Sequence, residues 1–302
     1  MLFCCQLKNK EIVLAYWALA AISILWGTTW FVSRLTIQHL PPLQLCSIRQ
    51  TIAGLFFILL FNVFNKIPWP GFKETAFNVM LGFLFFTTSN GLTTLAIKFI
   101  PSYLGALLGC LMPFVLVLLG WVMYKEKLKP ILLLALLTGF AGVSIILLSF
   151  GDQIAHGKNF AFGIGITLFT VFTWSFGSLL STRNKHGYVA KHGIGWQMLF
   201  GGIMLFFFSR FTEDQVNISN LSGNAWAYIF YLIIVGSIIC FQCYLYALKH
   251  LPLGLVSIYV YINPIVALLL GVLLLNEHFT WPIVIGSVVT FLGIYLVKRF
   301  NK

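Results

Sequence analysis

Apolar runs of roughly 20 residues follow one another along almost the whole of this chain, and that is the length an α-helix needs to cross about 30 Å of hydrocarbon. Ten such runs fall, with approximate ends, at 12–33, 45–64, 75–97, 102–123, 131–150, 160–181, 195–211, 225–247, 253–275 and 281–297. They are uninterrupted and do not alternate apolar with polar residues. They therefore read as helices that close their own backbone hydrogen bonds in lipid, not as strands of a barrel. With 60% hydrophobic and 9% charged residues, the chain has too little polar surface to coat a water-soluble particle of 302 residues. The predicted fold class is an all-α integral membrane bundle of ten spans. Its expected place is the plasma membrane, which in a bacterial cell is the inner, cytoplasmic membrane.

The net charge of +12, from 19 Lys+Arg against 7 Asp+Glu, would point to nucleic acid in a soluble protein. Here the cations sit in the gaps between runs, where they act as topology signals, so no nucleic-acid partner is expected. With the N-terminus in the cytoplasm, most cations fall on that side. The far side receives Arg34, Lys98, Lys158 and Arg210, and both termini are accordingly expected in the cytoplasm. No small-residue cleavage pattern follows the first run, so no removable signal peptide is read. Cys46, Cys110, Cys240 and Cys243 lie inside apolar runs, and Cys240-Phe-Gln-Cys243 has no second pair to complete a tetrahedral metal site. They read as small hydrophobes.

A second regularity organises the spans. Ala96, Lys98, Pro101, Pro113, Gly120, Glu126 and Gly142 return as Ala247, Lys249, Pro252, Pro264, Gly271, Glu277 and Gly293, each 151 residues further on, half the length of the chain. Residues 1–150 and 151–302 are therefore expected to be two homologous five-helix repeats. Five spans separate equivalent segments, and an odd number reverses direction across the bilayer, so the repeats are inverted and enclose a site where they meet. The Lys125-Glu126-Lys127 loop then lies inside and Asn276-Glu277-His278 outside, and the outer copy has lost its lysines as inversion demands.

Trp26-Gly27 in the first span, Pro41-Pro42 before the second, Arg49 within it, and the paired Ala-x-Lys-x-x-Pro…Pro…Glu stretches resemble the EamA-like permeases of the drug/metabolite transporter superfamily. The resemblance extends over nearly the whole chain. It implies a ten-helix carrier with cytoplasmic termini and a central cavity built mainly from the first, third, fourth, sixth, eighth and ninth spans, moving amino acids, metabolites or toxic compounds. The second half departs from the pattern, with Trp174-Ser175 and a displaced Gly177 where the first half has Trp26-Gly27.

Helical spacing puts Ser23, Trp26, Gly27 and Trp30 on one face of the first span, suited either to lining a cavity or to packing the bundle. The third span carries Thr87, Thr88, Ser89, Asn90, Thr93 and Thr94; of these Thr87, Asn90 and Thr94 share a face, and the amide must meet a partner helix or water. Polar and aromatic groups recur at Thr170, Trp174, Gly177, Ser178 and Ser181 in the sixth span, at Gln242 and Tyr244 in the eighth, and at Tyr259 and Asn263 in the ninth. The candidate cavity residues are Trp26, Trp30, Thr87, Asn90, Thr94, Tyr103, Trp174, Ser178, Gln242, Tyr259 and Asn263. Gating or structural roles fall to Gly27, Pro113, Pro264, Arg49, Glu126 and Glu277. Pro113 and Pro264 read as kinks ahead of binding elements, and Gly105-x-x-x-Gly109 reads as a close-packing strip. Arg49 is the one basic residue well inside a span. Its burial at mid-membrane would cost on the order of 2.5–3.5 kcal/mol, so snorkelling to the outer surface ranks ahead of binding an anionic solute group.

All seven acids lie at span ends or in loops, which disfavours proton coupling through a carboxylate at mid-membrane. A proton or other coupling ion is left with Glu126, Glu277 or a histidine, or with no role. The histidines are likewise in loops and no His-Glu-x-x-His occurs, so neither metal nor cofactor nor enzyme chemistry is expected. The reading that follows is a secondary transporter working by alternating access on a small amphipathic solute such as an amino acid, metabolite or drug, with net export as the expected direction. An integral-membrane enzyme, a membrane receptor or assembly subunit, and a channel are the rival classes. The solute, the coupling ion and the oligomeric state are not fixed by the sequence.

Overall fold

The computed structural model describes residues 2–125, 130–149, 159–183, 192–251, 256, 259–275 and 280–300, and every regular element among them is helical. In chain order these are α1 (Leu2–Thr36), α2 (Pro42–Ile58), α3 (Phe72–Gly82), α4 (Leu92–Ala96), α5 (Ser102–Gly109), α6 (Met112–Tyr124), α7 (Pro130–Leu148), α8 (Phe160–Arg183), α9 (Ile194–Thr212), α10 (Gly223–Tyr231), α11 (Cys240–His250), α12 (Tyr259–Leu275) and α13 (Trp281–Phe300). Seven of the described helices are long and apolar enough to cross a membrane: Lys10–Thr36, Pro42–Phe64, Phe72–Ala96, Ser102–Tyr124, Phe160–Thr182, Ile194–Thr212 and Gly223–Ala247. Leu133–Leu148, Ile262–Leu275 and Trp281–Leu296 are shorter apolar helices beside them. Large side chains such as Phe72, Phe211, Leu273 and Trp281 stand exposed on the outside, as a surface solvated by lipid requires.

Where the sequence reads as plain α-helix, the rods change their winding at their middles. Phe83–Gly91, between α3 and α4, is π-helical, and so is Leu232–Ile239, between α10 and α11. Shifted by the repeat offset, Phe83–Gly91 falls on 234–242, so the two π segments overlap in register. Thr88 contributes to the first by donating its hydroxyl to the Phe83 and Leu84 carbonyls at 3.1 and 3.0 Å, competing with the regular ladder. The rod Ser102–Tyr124 is broken at Cys110 and Leu111. Pro113 has no N–H for the Gly109 carbonyl, and the chain tightens instead into Cys110 N–H to Leu107 O and Leu111 N–H to Leu108 O bonds.

Two helix pairs hold the bundle together. α2 lies against α9, laced by Ser47 Oγ donating to Gly202 O at 3.1 Å. α7 lies against α13 so closely that a Cβ on Gly142 would sit 2.4 Å from Thr290 N and one on Gly286 would sit 2.6 Å from Gly142 O. Small residues are what allow two backbones in lipid to reach that distance and collect dispersion energy. α1 packs against α11 and α12, while α8 packs against α4, α5, α6 and the Phe83–Gly91 segment.

The ends of the rods are tied by charge. Pro41 gives α2 no side-chain cap; Glu213, at the end of α9, accepts from Leu43 N (3.0 and 3.1 Å) and Gln44 N (3.0 Å) in its place. Partial burial holds the Glu213 carboxyl above the usual glutamate range, with the two backbone donors and Lys98 opposing that shift. Arg34 donates to the Ile97 carbonyl at the C-terminus of α4, where a cation meets the negative end of the helix dipole.

Candidate functional site

Two cavities of about 210 and 190 Å³ lie at the centre of the bundle and share Trp30, Asn90, Thr93, Trp174, Tyr259 and Asn263 as walls, so they form one chamber. One lobe is completed by Ser89, Gly109, Cys110, Thr167, Thr170 and Pro264, the other by Trp26, Thr29, Ser33, Arg49, Thr94 and Phe241. Its walls come from α1, α2, α4, α5, α6, α8, α11 and α12, together with Phe83–Gly91.

The aromatic side of the chamber is built around Trp26, whose ring centroid lies 5.2 Å from Phe241, 5.5 Å from Tyr244 and 5.2 Å from Tyr259. Its indole N–H donates to the Gly236 carbonyl at 3.0 Å, which turns outward within the π segment Leu232–Ile239. Below this cluster Ala15, Ala18, Leu19 and Ile22 of α1 pack with Cys240 and Ala247 of α11, which fills the space between these two helices toward the N-terminal end of α1. It extends from Trp26 toward Ser33, that is, toward the Thr36 end. On the opposite wall Trp174 packs on Phe85 at 4.9 Å.

The polar wall is anchored across helices. Ser89 Oγ donates to Thr170 O and Thr93 Oγ1 to Thr170 Oγ1, both at 3.1 Å, fixing the third rod to α8. Gln50 Nε2 donates to Asn90 Oδ1 at 3.1 Å, while Gln50 Oε1 is buried without a partner. The Asn263 amide, oriented by its surroundings, donates its nitrogen to Ser23 O at 2.6 Å and Ile22 O at 3.3 Å and so binds α12 to α1. Pro264 has no N–H to give the Val260 carbonyl, which accepts the Cys110 thiol at 3.3 Å instead. The paired prolines therefore do more than bend their helices, since they leave Gly109 and Val260 backbone on the chamber wall.

Of the residues picked out by sequence, Trp26, Trp30, Asn90, Thr94, Trp174, Tyr259 and Asn263 line the chamber. Four do not. Thr87 turns away and donates to Gly201 O of α9 at 3.2 Å, because π winding over Phe83–Gly91 rotates it off the face that α spacing assigns. Tyr103 is fully buried in the apolar core with Ile100 and Leu107. Ser178 donates to its own helix at Trp174 O (2.8 Å), and Gln242 is half-buried outside the lining. Gly27 meets α12, where a Cβ would come 2.6 Å from Val266 Cβ. Glu126 and Glu277 lie outside the described residues.

Two sequence readings are corrected. Arg49 does not snorkel: it is 6% exposed, its Nε donates to Ser237 Oγ at 2.7 Å, and it lines the chamber. Gly105 and Gly109 do not form one packing strip. A Cβ on Gly105 would press into the Trp30 ring at 2.7 Å, but one on Gly109 would meet nothing within 4 Å, because it faces the void. Sequence reasoning missed Thr29, Ser33 and Thr167. Their spacing from Trp26, Trp30 and Thr170 is the helical signal that places them beside the chamber.

A polar-aromatic chamber enclosed by apolar helices is the kind of site in which a membrane protein holds a small molecule. The chain belongs to the EamA-like transporter family, whose model matches residues 13–148 and again 161–299. It is 27% identical over 299 residues to the uncharacterized inner membrane transporter YedA of Escherichia coli K12, covering 96% of this chain and 94% of that one. It is 29% identical over 293 residues to protein PecM of Dickeya dadantii, covering 91% and 89%. A solved crystal structure of a protein shares the fold, with a TM-score of 0.65, 19% identity and coverage of 97% of this chain and 99% of that one. The protein is thus a membrane transporter of the drug/metabolite type, and the names of its relatives favour a non-enzymatic role.

Proposed function

We propose that the protein is a secondary transporter in which two inverted five-helix repeats, residues 1–150 and 151–302, rock about a shared chamber and expose it to each side of the membrane in turn. The observation that carries this reading is the exchange symmetry of the packing. α2 pairs with α9 and α7 with α13, each element with its counterpart in the other half, while α1 against α11 and α12 repeats α8 against α4 and α5–α6. The family model matching twice along the chain supports the same division. In this reading ten spans place both termini in the cytoplasm, the Trp26 cluster closes the inner side, and net movement is outward. The solute is a small amphipathic molecule, because the walls combine indole and phenol rings with hydroxyls and amides.

The test is counterflow in proteoliposomes loaded with a library of small metabolites, paired with labelling of single cysteines placed at Lys127 and His278 in a cysteine-free background. Saturable exchange that is accelerated by trans solute, with the two cysteines labelled from opposite sides, is the expected result. Solute that binds without crossing, or both cysteines labelled from one side, overturns it.

A further inference from the structure

Among the described residues, Arg49 is the one charged side chain in the walls of the chamber, and no counter-charge lies against it. It is nine-tenths buried, and no carboxylate among the described residues lies within salt-bridge distance of it. Its Nε is spent on Ser237 Oγ at 2.7 Å, which fixes the plane of the guanidinium. The two Nη groups have no protein acceptor among the described residues. Gly236 packs beside them, its Cβ position 3.0 Å from Thr29 Cγ2 and 3.6 Å from Nη2. The Nη groups therefore open onto the chamber, where an anion can supply two acceptors in the plane of the fork.

We infer that Arg49 reads the carboxylate of the solute, so that the transported class is a compact monocarboxylate with an aromatic or branched body. This deepens the transport reading above and rests on it for the word "transported" alone. A carboxylate fits better than a phosphate. The rest of the wall around Arg49 offers neutral groups, Thr29, Ser33, Thr93, Thr94 and Asn90, and no second cation among the described residues to balance a doubly charged anion. Asn90 has its oxygen occupied by Gln50 Nε2, which leaves its own Nδ2 as a further donor on the same wall. The body of the solute would lie against Trp26, Trp30 and Tyr259, whose ring faces accept apolar surface at little ordering cost.

The experiment uses the full chain purified in detergent and measures binding of L-phenylalanine, 3-phenylpropanoate, L-phenylalanine amide and phenethylamine by ligand-induced stabilisation and calorimetry. The wild type is expected to bind the first two and to bind the amide and the amine about 10- to 100-fold more weakly, the value of a charge-assisted bond. Arg49→Gln removes that preference and Arg49→Lys restores part of it. Ser237→Ala, which loosens the guanidinium without removing its charge, keeps the preference. Equal binding of acid and amine by the wild type overturns the inference, and so does an unchanged preference in Arg49→Gln. If Arg49→Gln does not fold, the acid-against-amide comparison in the wild type decides by itself. Carboxylate binding without counterflow sinks the transport reading and leaves Arg49 standing; counterflow of the amine with no acid preference does the reverse.

Discussion

At the scale of single residues, Gly109 separates two meanings of a small side chain in a membrane helix. Gly105 is small because the Trp30 ring occupies its Cβ position, whereas Gly109 has empty space there. Gly109→Ala is therefore expected to leave thermal stability within about 0.5 kcal/mol of wild type. Gly109→Phe is expected to fold, as judged by size-exclusion profile and melting temperature, while counterflow falls to background because the ring fills the chamber. Retained transport by a folded Gly109→Phe protein would mean that the solute does not use this space. Much of the chamber was legible in the sequence at this scale. The tryptophans, Asn90 and the Tyr259–Asn263 pair stand out because large aromatic and amide groups are conspicuous within apolar runs. Thr87 and Arg49 were misplaced for physical reasons. A π segment breaks the α periodicity by which a face is assigned, and the acceptor that holds Arg49 inward, Ser237, lies 188 residues away and is an unremarkable serine in its own run.

At the scale of elements, the ends of helices are held by partners distant in sequence. Glu213 caps α2 from the end of α9 and should be worth about 1 kcal/mol to the fold, the ordinary value of an N-terminal cap. Its pKa is raised in the folded protein, so the associated stabilisation is complete below the unfolded value near 4.3 and is lost as pH rises through the folded one. Wild-type melting temperature is accordingly expected to decline over that window, and Glu213→Gln is expected to flatten the decline; parallel curves for the two proteins would refute it. The α7–α13 seam gives a steric prediction. Gly142→Leu places atoms where Thr290 N already lies 2.4 Å from a bare Cβ, so the helices must part at a cost of about 1–3 kcal/mol or more. Lower folded yield and an earlier thermal transition, with solute affinity unchanged in the surviving protein, would show it. The repeat offset makes the seam visible in part, since Gly142 and Gly293 are among the matched residues, but sequence does not say that the two helices touch.

At the scale of the whole molecule, the chain is a set of apolar rods around a polar-aromatic interior, and both of its family-matched stretches contribute side chains to the walls of one chamber. The overall class was readable from run length and charge placement, because lipid leaves a backbone so few solutions. The changes of winding at Phe83–Gly91, Leu232–Ile239 and Cys110–Leu111 were not, since they depend on how neighbouring rods share carbonyls. α2 with α9 and α7 with α13 are the contacts least able to slide, because a shift along either would drive backbone into backbone. In the proposed rocking they are therefore the contacts that move least, and the displacement of α1 and α8 grows with distance from their glycines.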